Sequence, residues 1–472
     1  MKRIKSAIGR GYKFNRRVLW LEEAEPFPYH VLLRKFQVLK LIGRWDQAME
    51  TLGPAVAATG KMGERGLQAE LLEQLGNLRL IQGQAEQAEG MLDRALSLYR
   101  ELGNTTGEGK VLGDMGTACR NRGRYREAED LYRRQMEIAA LAGDRDETGV
   151  AAENLANLYL YQGDLETALK HFDQSLRIAE RAGDRVAICT LMLNKGNVYY
   201  YREDYRKAEK CYRKSLEESQ ALGYKANLGM ALGALGNCYF EQGNLEKAGE
   251  AFSDCLRINR EIGNKIGRAR ALGSLGMLEM RQGRDGEAID HLEESLGIFQ
   301  AIEDRQDEAV TLSLVSQAYL NGGRVAQAAE KMELALAIAR EMKLGHHLPE
   351  FMQRRAEIYF ASEEIEKANL LCREARSLAK TAGRKEVVFD CEVLGCKLLA
   401  RIDPQAAVAS LRAMMGKAEN EKVSACLCYE IFKLTGSDDD RAQALSRCRN
   451  LFEAGQGTEW AARVRQLEKP SE

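Results

Sequence analysis

The stretch Leu235–Asn264, "LGNCYFEQGNLEKAGEAFSDCLRINREIGN", places Gly236, Gly243, Ala248 and Gly263 among helix-forming residues. Each of these small side chains gives up burial that a larger one would supply. Steps of forty residues return the same small residues to the same places, as in "LGNLRLIQGQAEQAEGMLDRALSLYRELGN" from Leu75 and "LANLYLYQGDLETALKHFDQSLRIAERAGD" from Leu155. Alanine stands at Ala48, Ala88, Ala128, Ala168, Ala208, Ala248, Ala288, Ala328 and Ala368, nine times at a period of forty. Five residues before it comes glycine, at Gly43, Gly83, Gly123, Gly163, Gly243, Gly283 and Gly323, with Glu203 and Glu363 breaking the series. A second series runs Gly63, Gly103, Gly143, Gly183, Gly223, Gly263 and Gly383, interrupted at Glu303 and Lys343.

Two stops about twenty residues apart in each unit spell helix, turn, helix, turn. Glycine just past a helix takes the left-handed conformation at little cost, and the Asp or Asn after it (Asp144, Asp164, Asp184, Asn264) suits the next N-cap. Between the stops, Leu155 and Tyr159, then Ala168, Phe172 and Leu176, recur at the helical period. None of the six prolines lies between Pro54 and Pro349. The alanine series is expected where the two helices of a hairpin cross most closely. Gly76, Gly116, Ala156, Gly196, Gly236, Gly276, Ser316 and Ala356 are expected to face the same contact from the first helix.

The order small residue, Tyr, Gly, Tyr or Leu, Ala, Phe, small-Leu, clearest in "KGNVYYYREDYRKAEKCYRKSL", resembles the tetratricopeptide repeat. The period is forty rather than the common thirty-four, and Gly-Asp or Gly-Asn replaces the usual closing proline. In this it is similar to the longer-helix variety of Pins-type scaffolds, kinesin light chains and bacterial signalling regulators. The resemblance implies an all-α solenoid, a right-handed superhelix of antiparallel helix pairs with about nine to ten repeats. The expected organisation is a basic N-terminal segment over 1–28, the array over 29–383, and a degenerate repeat with a helical cap over 384–472. Degeneracy suits a terminal repeat, which turns a polar face outward.

Charge and cysteine usage narrow the role. With 69 Lys plus Arg against 70 Asp plus Glu, no bulk charge draws the chain to nucleic acid, although "MKRIKSAIGRGYKFNRR" is locally basic. No run of eighteen apolar residues and no secretory signal are present, so the reading is cytoplasmic, without membrane insertion. Eleven cysteines scattered through helical core patterns suit reduced thiols, and the C-x-C of Cys426 and Cys428 lacks a second pair, so neither metal nor cofactor is expected. The five histidines are dispersed, "HHLPE" lacks metal-ligand spacing, and "GNTTGEGKVLGDMG" is not a phosphate loop because its glycines belong to the repeat. An enzyme is not expected.

What remains is binding. The resemblance implies ligand contacts from the first helices, at the position after the small residue: Asn77, Thr117, Asn157, Asn197, Asn237, Met277, Gln317 and Glu357. An amide ladder could clamp the backbone of an extended peptide, or the asparagines could simply bond a neighbouring helix. On the same face, Tyr161, Tyr200, Tyr201 and Phe240 supply aromatic area. The candidate groove therefore comprises Asn77, Asn157, Tyr161, Asn197, Tyr200, Tyr201, Asn237 and Phe240, while Tyr159, Tyr199, Tyr239, Tyr319 and Tyr359 read as core. The expected function is a scaffold or regulator holding a protein or peptide partner. The alternatives are a sensory array of a bacterial signalling system working with a kinase, cyclase or transcription factor, and a structural scaffold self-associating through its end repeats.

Overall fold

A computed structural model describes residues 35–36, 45–81, 84–418, 420–453 and 458–468. The basic N-terminal segment lies outside these, and Ala48 falls within the first described helix. Among the described residues there are 22 helices and no strand, from Trp45–Met62 to Thr458–Glu468. The chain divides into two compact units, Met1–Ile178 and Ala179–Glu472.

Turn chemistry sets the helix lengths. Gly143, Gly163, Gly223 and Gly263 close their helices at φ between 66 and 81°. The next residue then caps the following helix: the Asp144 carboxylate accepts the Glu147 N–H at 3.0 Å, Asp184 the Ala187 N–H at 3.0 Å, and Asn264 the Gly267 N–H at 3.0 Å. Glu203, Glu303, Lys343 and Glu363, which break the glycine series, hold the same left-handed backbone at φ 60, 58, 55 and 61°. The fold thus imposes the turn even where the residue resists it.

In the first unit, the hairpin Arg65–Ile81 with Ala85–Glu101 stacks on Thr105–Asn121 with Tyr125–Ala142. Leu72, Leu92, Leu96, Val111 and Leu112 fill the space between them. The second unit repeats this from Arg185–Tyr201 with Tyr205–Leu222 onward, over cores such as Leu193, Tyr212, Leu235 and Phe252. Its later helices, Pro404–Met415, Glu421–Thr435, Asp438–Glu453 and Thr458–Glu468, are shorter and close over Trp460, Cys448 and Leu467.

All seven alanines from Ala88 to Ala328 are fully buried. The first-helix glycines have a second task, because each faces the large side chain one turn beyond the alanine. A Cβ on Gly196 would stand 2.4 Å from the Tyr212 ring, on Gly236 2.4 Å from Phe252, and on Gly116 2.6 Å from Tyr132. The alanine's own backbone is close as well, with Gly276 Cβ 3.2 Å from the Ala288 carbonyl and Ser316 Oγ donating to Ala328 at 2.7 Å. The small first-helix residues thus face the alanine at the crossing and also seat the large side chain one turn beyond it.

The core tyrosines connect neighbouring repeats. Tyr159 donates to Glu129 at 2.8 Å, Tyr239 to Glu209 at 3.0 Å and Tyr319 to Glu293 at 2.8 Å. Arg133 and Arg213 join the first two pairs, donating to the tyrosine oxygens and to Glu129 and Glu209.

Gly236→Ala is expected to cost about 1 to 3 kcal/mol by overpacking against Phe252. Glu303→Gly, by relieving a left-handed glutamate, is expected to stabilise by about 0.5 to 1 kcal/mol, the difference between the steric relief and glycine's greater unfolded freedom. Chemical denaturation of the two single variants beside the parent checks both signs.

Candidate functional site

The amide series does not present a uniform ladder. In the first unit, the Asn77 amide donates to Asp114 at 2.8 Å, which ties two successive first helices together. Thr117 shares a 3.0 Å hydrogen bond with the Tyr132 hydroxyl. In the second unit, the Asn197 oxygen accepts from the Tyr212 hydroxyl at 2.9 Å. Phe172 and Phe252 replace those tyrosines in the repeats of Asn157 and Asn237, so no hydroxyl is available there. Asn237 is exposed and Asn157 half-buried. Sequence alone did not show that a ring hydroxyl two-fifths of a repeat away decides whether each amide is engaged.

The aromatic residues also differ among themselves. In the first unit Tyr161 is 67% exposed, with the Arg120 guanidinium 5.1 Å from its ring centroid. In the second, Tyr201 is 65% exposed and meets Tyr200 edge-on, with centroids 5.9 Å apart. Tyr200 is half-buried and packs edge-on against Tyr205 at 5.6 Å. Phe240 is half-buried under the Arg281 guanidinium, 4.7 Å from its centroid. Tyr200 and Phe240 thus pack against Tyr201 and Arg281 while part of each ring stays open to solvent.

Around this cluster the second unit opens a cleft of about 1520 Å³. Glu203 and Arg281 line one side, and Lys385, Glu386, Phe389 and Asp390 on helix Lys385–Ala400 line the other. Burial, then Glu241, Glu203, Cys238 and Glu386, push the Tyr205 hydroxyl up to about 12, so the aromatic cluster and the far helix share one electrostatic environment. Sequence reading missed this far wall. Its signal was present in the forty-residue register, where Asn197, Asn237, Met277 and Gln317 give way to Glu357 and Lys397.

The far wall is rich in charge. Crowding by protein atoms, then the like charges of Glu357 and Glu386, push the Asp390 carboxyl up to about 7, against a smaller opposing pull from Arg354. Glu357 is likewise raised, first by burial, while Lys397 and a hydrogen bond to Gln353 oppose it. Lys397 pairs with Glu430 at 3.1 Å. The cleft thus sets Glu203 and Arg281 against Lys385, Glu386 and Asp390, a polar and charged lining with Phe389 as its aromatic group on the far side. Among the described residues no three His, Cys, Asp or Glu side chains come together to hold a metal ion, and no helix is long and apolar enough to cross a membrane.

A family model described as "Tetratricopeptide repeat" matches residues 67–140, 107–181, 186–261 and 267–341, more than half of the chain. No curated protein matches the chain in sequence. Among solved structures, a signal-transduction ATPase with a tetratricopeptide repeat sensor from Pyrococcus horikoshii is similar at 19% identity and a TM-score of 0.54, covering 78% of this chain and 55% of that one. The chain thus spans about half the length of that protein. The quorum sensor NprR from B. thuringiensis is similar at 15% identity and a TM-score of 0.53, covering 74% of this chain and 98% of its own. A Rap protein complexed with competence and sporulation factor gives 13% identity and 0.52, covering 80% and 99%. At these identities the likeness is one of fold.

A carboxyl raised in the folded state binds its proton more tightly there than in the unfolded chain, so it destabilises progressively as pH rises from the ordinary carboxylate range, near 4, to about 7. Asp390→Asn removes that penalty. The variant is expected to melt above the parent at pH 8, with the gap narrowing at pH 5 and closing near pH 4, where the unfolded carboxyl is protonated as well. Melting curves of both proteins across this range check the sign.

Proposed function

Because the chain belongs to the tetratricopeptide repeat family, we propose that it is a regulatory or scaffolding array that receives an extended peptide segment of a partner in the cleft of its second unit. The observation carrying this reading is that Glu203, two residues from exposed Tyr201, and Arg281, which covers the Phe240 ring, line one side of a cleft whose other side is charged. Tyrosine brings large contact area with few rotatable bonds, and an asparagine can donate to a peptide carbonyl while accepting from its N–H. Exposed in the free protein, both groups are available at little cost in stability.

The regulatory half of the reading has support from outside the chain. NprR is a quorum sensor, the Rap protein is complexed with competence and sporulation factor, and the Pyrococcus protein uses its repeats as a sensor. Their likeness reaches the fold alone, so the proposal for this chain rests on its own cleft.

Peptides selected from a displayed library on the immobilised full chain provide ligands whose affinity can be titrated by calorimetry. Tyr201→Ala with Asn237→Ala is expected to weaken binding about a hundredfold. That corresponds to about 2 kcal/mol for the aromatic and about 1 for the lost hydrogen bond. The melting temperature should stay within a degree or two of the parent, since both side chains are solvated and alanine favours helix. Undiminished affinity in the folded double variant would move the ligand away from this cleft.

A further inference from the structure

Cys372 on helix Ile365–Thr381 occupies the register filled elsewhere by Leu92, Tyr132, Phe172, Tyr212, Phe252, Leu292 and Met332. The residue nineteen further on, across the contact between that helix and the next, is Val111, Ala151, Leu191, Ala231, Ala271, Thr311 or Phe351 in the earlier repeats, and here Cys391. One repeat therefore places two thiols where the others place a large side chain against an apolar or small one. The Cys372 thiol donates to the Cys391 carbonyl at 3.2 Å. As a packing choice this is poor, since a thiol fills less space than the leucine, methionine or ring it replaces. Both side chains are buried, Cys372 4% and Cys391 1% exposed, yet both residues border the cleft of the second unit, so a small oxidant in the cleft lies next to them.

We propose that Cys372 and Cys391 are a peroxide-oxidised dithiol pair, which closes to a disulfide that fastens helix Ile365–Thr381 to helix Lys385–Ala400. The Cys372 thiolate attacks one oxygen of hydrogen peroxide; an S–O bond forms, the O–O bond breaks, and hydroxide leaves to become water. The Cys391 sulfur then attacks the Cys372 sulfenic acid, forming the S–S bond and breaking the S–O bond, with hydroxide leaving as a second water on taking up the Cys391 proton. Two thiols lose two electrons, and the peroxide gains them. Cys372 is the fitting attacker, because Arg376 stands one helical turn beyond it on the same helix face, where its guanidinium favours the thiolate. Cys119, Cys238, Cys255, Cys396, Cys426, Cys428 and Cys448 are all raised by burial and held as thiols. The fastened helix carries Lys385, Glu386 and Asp390, so the bond would fix one side of the cleft.

The test exposes the reduced, folded full chain to a small molar excess of hydrogen peroxide and maps the products by mass spectrometry of proteolytic peptides. The expected product joins the peptide of Cys372 to that of Cys391, two hydrogens lighter than the reduced pair, and dithiothreitol reverts it. In Cys391→Ser, which removes the resolving thiol and keeps the volume close, dimedone should trap a sulfenic acid at Cys372; in Cys372→Ser, Cys391 should stay unlabelled. Circular dichroism on both variants establishes that they are folded. A folded parent that leaves both thiols free, or joins either one to another cysteine, overturns the pair. A dimedone label on Cys391 rather than Cys372 overturns the assignment of the attacking thiol.

Discussion

Everything in this chain depends on how closely the two helices of each hairpin approach. Where Gly236 faces Phe252, the missing Cβ is the space the ring occupies, and the fully buried Ala248 one turn earlier lets the second helix lie near enough to use it. Close packing of this kind tolerates neither a larger side chain nor a void. It also fixes the rotation of each helix, and so settles which residues face the next repeat and which face outward. Repetition follows, because a hairpin set in this way buries one face internally and must cover the other with a copy of itself.

The turns keep the count. A left-handed residue follows most of the helices of the array, and Asp or Asn side chains cap several of those that come next, so the phase of forty passes from one hairpin to the next. Glu203, Glu303, Lys343 and Glu363 adopt that backbone without being glycine, so the packing of the hairpins outweighs the local steric cost of about 1 to 2 kcal/mol. Neighbouring repeats are then joined by directional contacts, of which the Glu129–Arg133–Tyr159 and Glu209–Arg213–Tyr239 groups are the plainest.

The same register that builds the core distributes the chemistry of the exposed face. Positions that hold amides in the earlier repeats hold Glu357 and Lys397 in the later ones, and the cleft of the second unit opens between Glu203 and Arg281 on one side and Glu386 and Asp390 on the other. A carboxyl there titrates near neutrality because protein crowds it beside other acids, not because of anything in its own segment of chain.

Local sequence determined the helices, their ends and their pairing, since glycine stops, Asp and Asn caps, helical periodicity and the alanine series are all short-range signals repeated often enough to be unmistakable. It also picked out the first-helix positions, because these lie at a fixed offset from the small residue. What it could not determine was which of those positions are engaged: Asn197 is held by the Tyr212 hydroxyl, Asn77 by Asp114, Phe240 lies under Arg281, and Tyr200 packs on Tyr205. Nor did it show that Glu203 and Asp390, 187 residues apart, line one cleft. Those facts belong to tertiary structure for one physical reason: spacing in sequence specifies which face of a helix a residue occupies, whereas its partners are set by the side chains that packing brings from other helices.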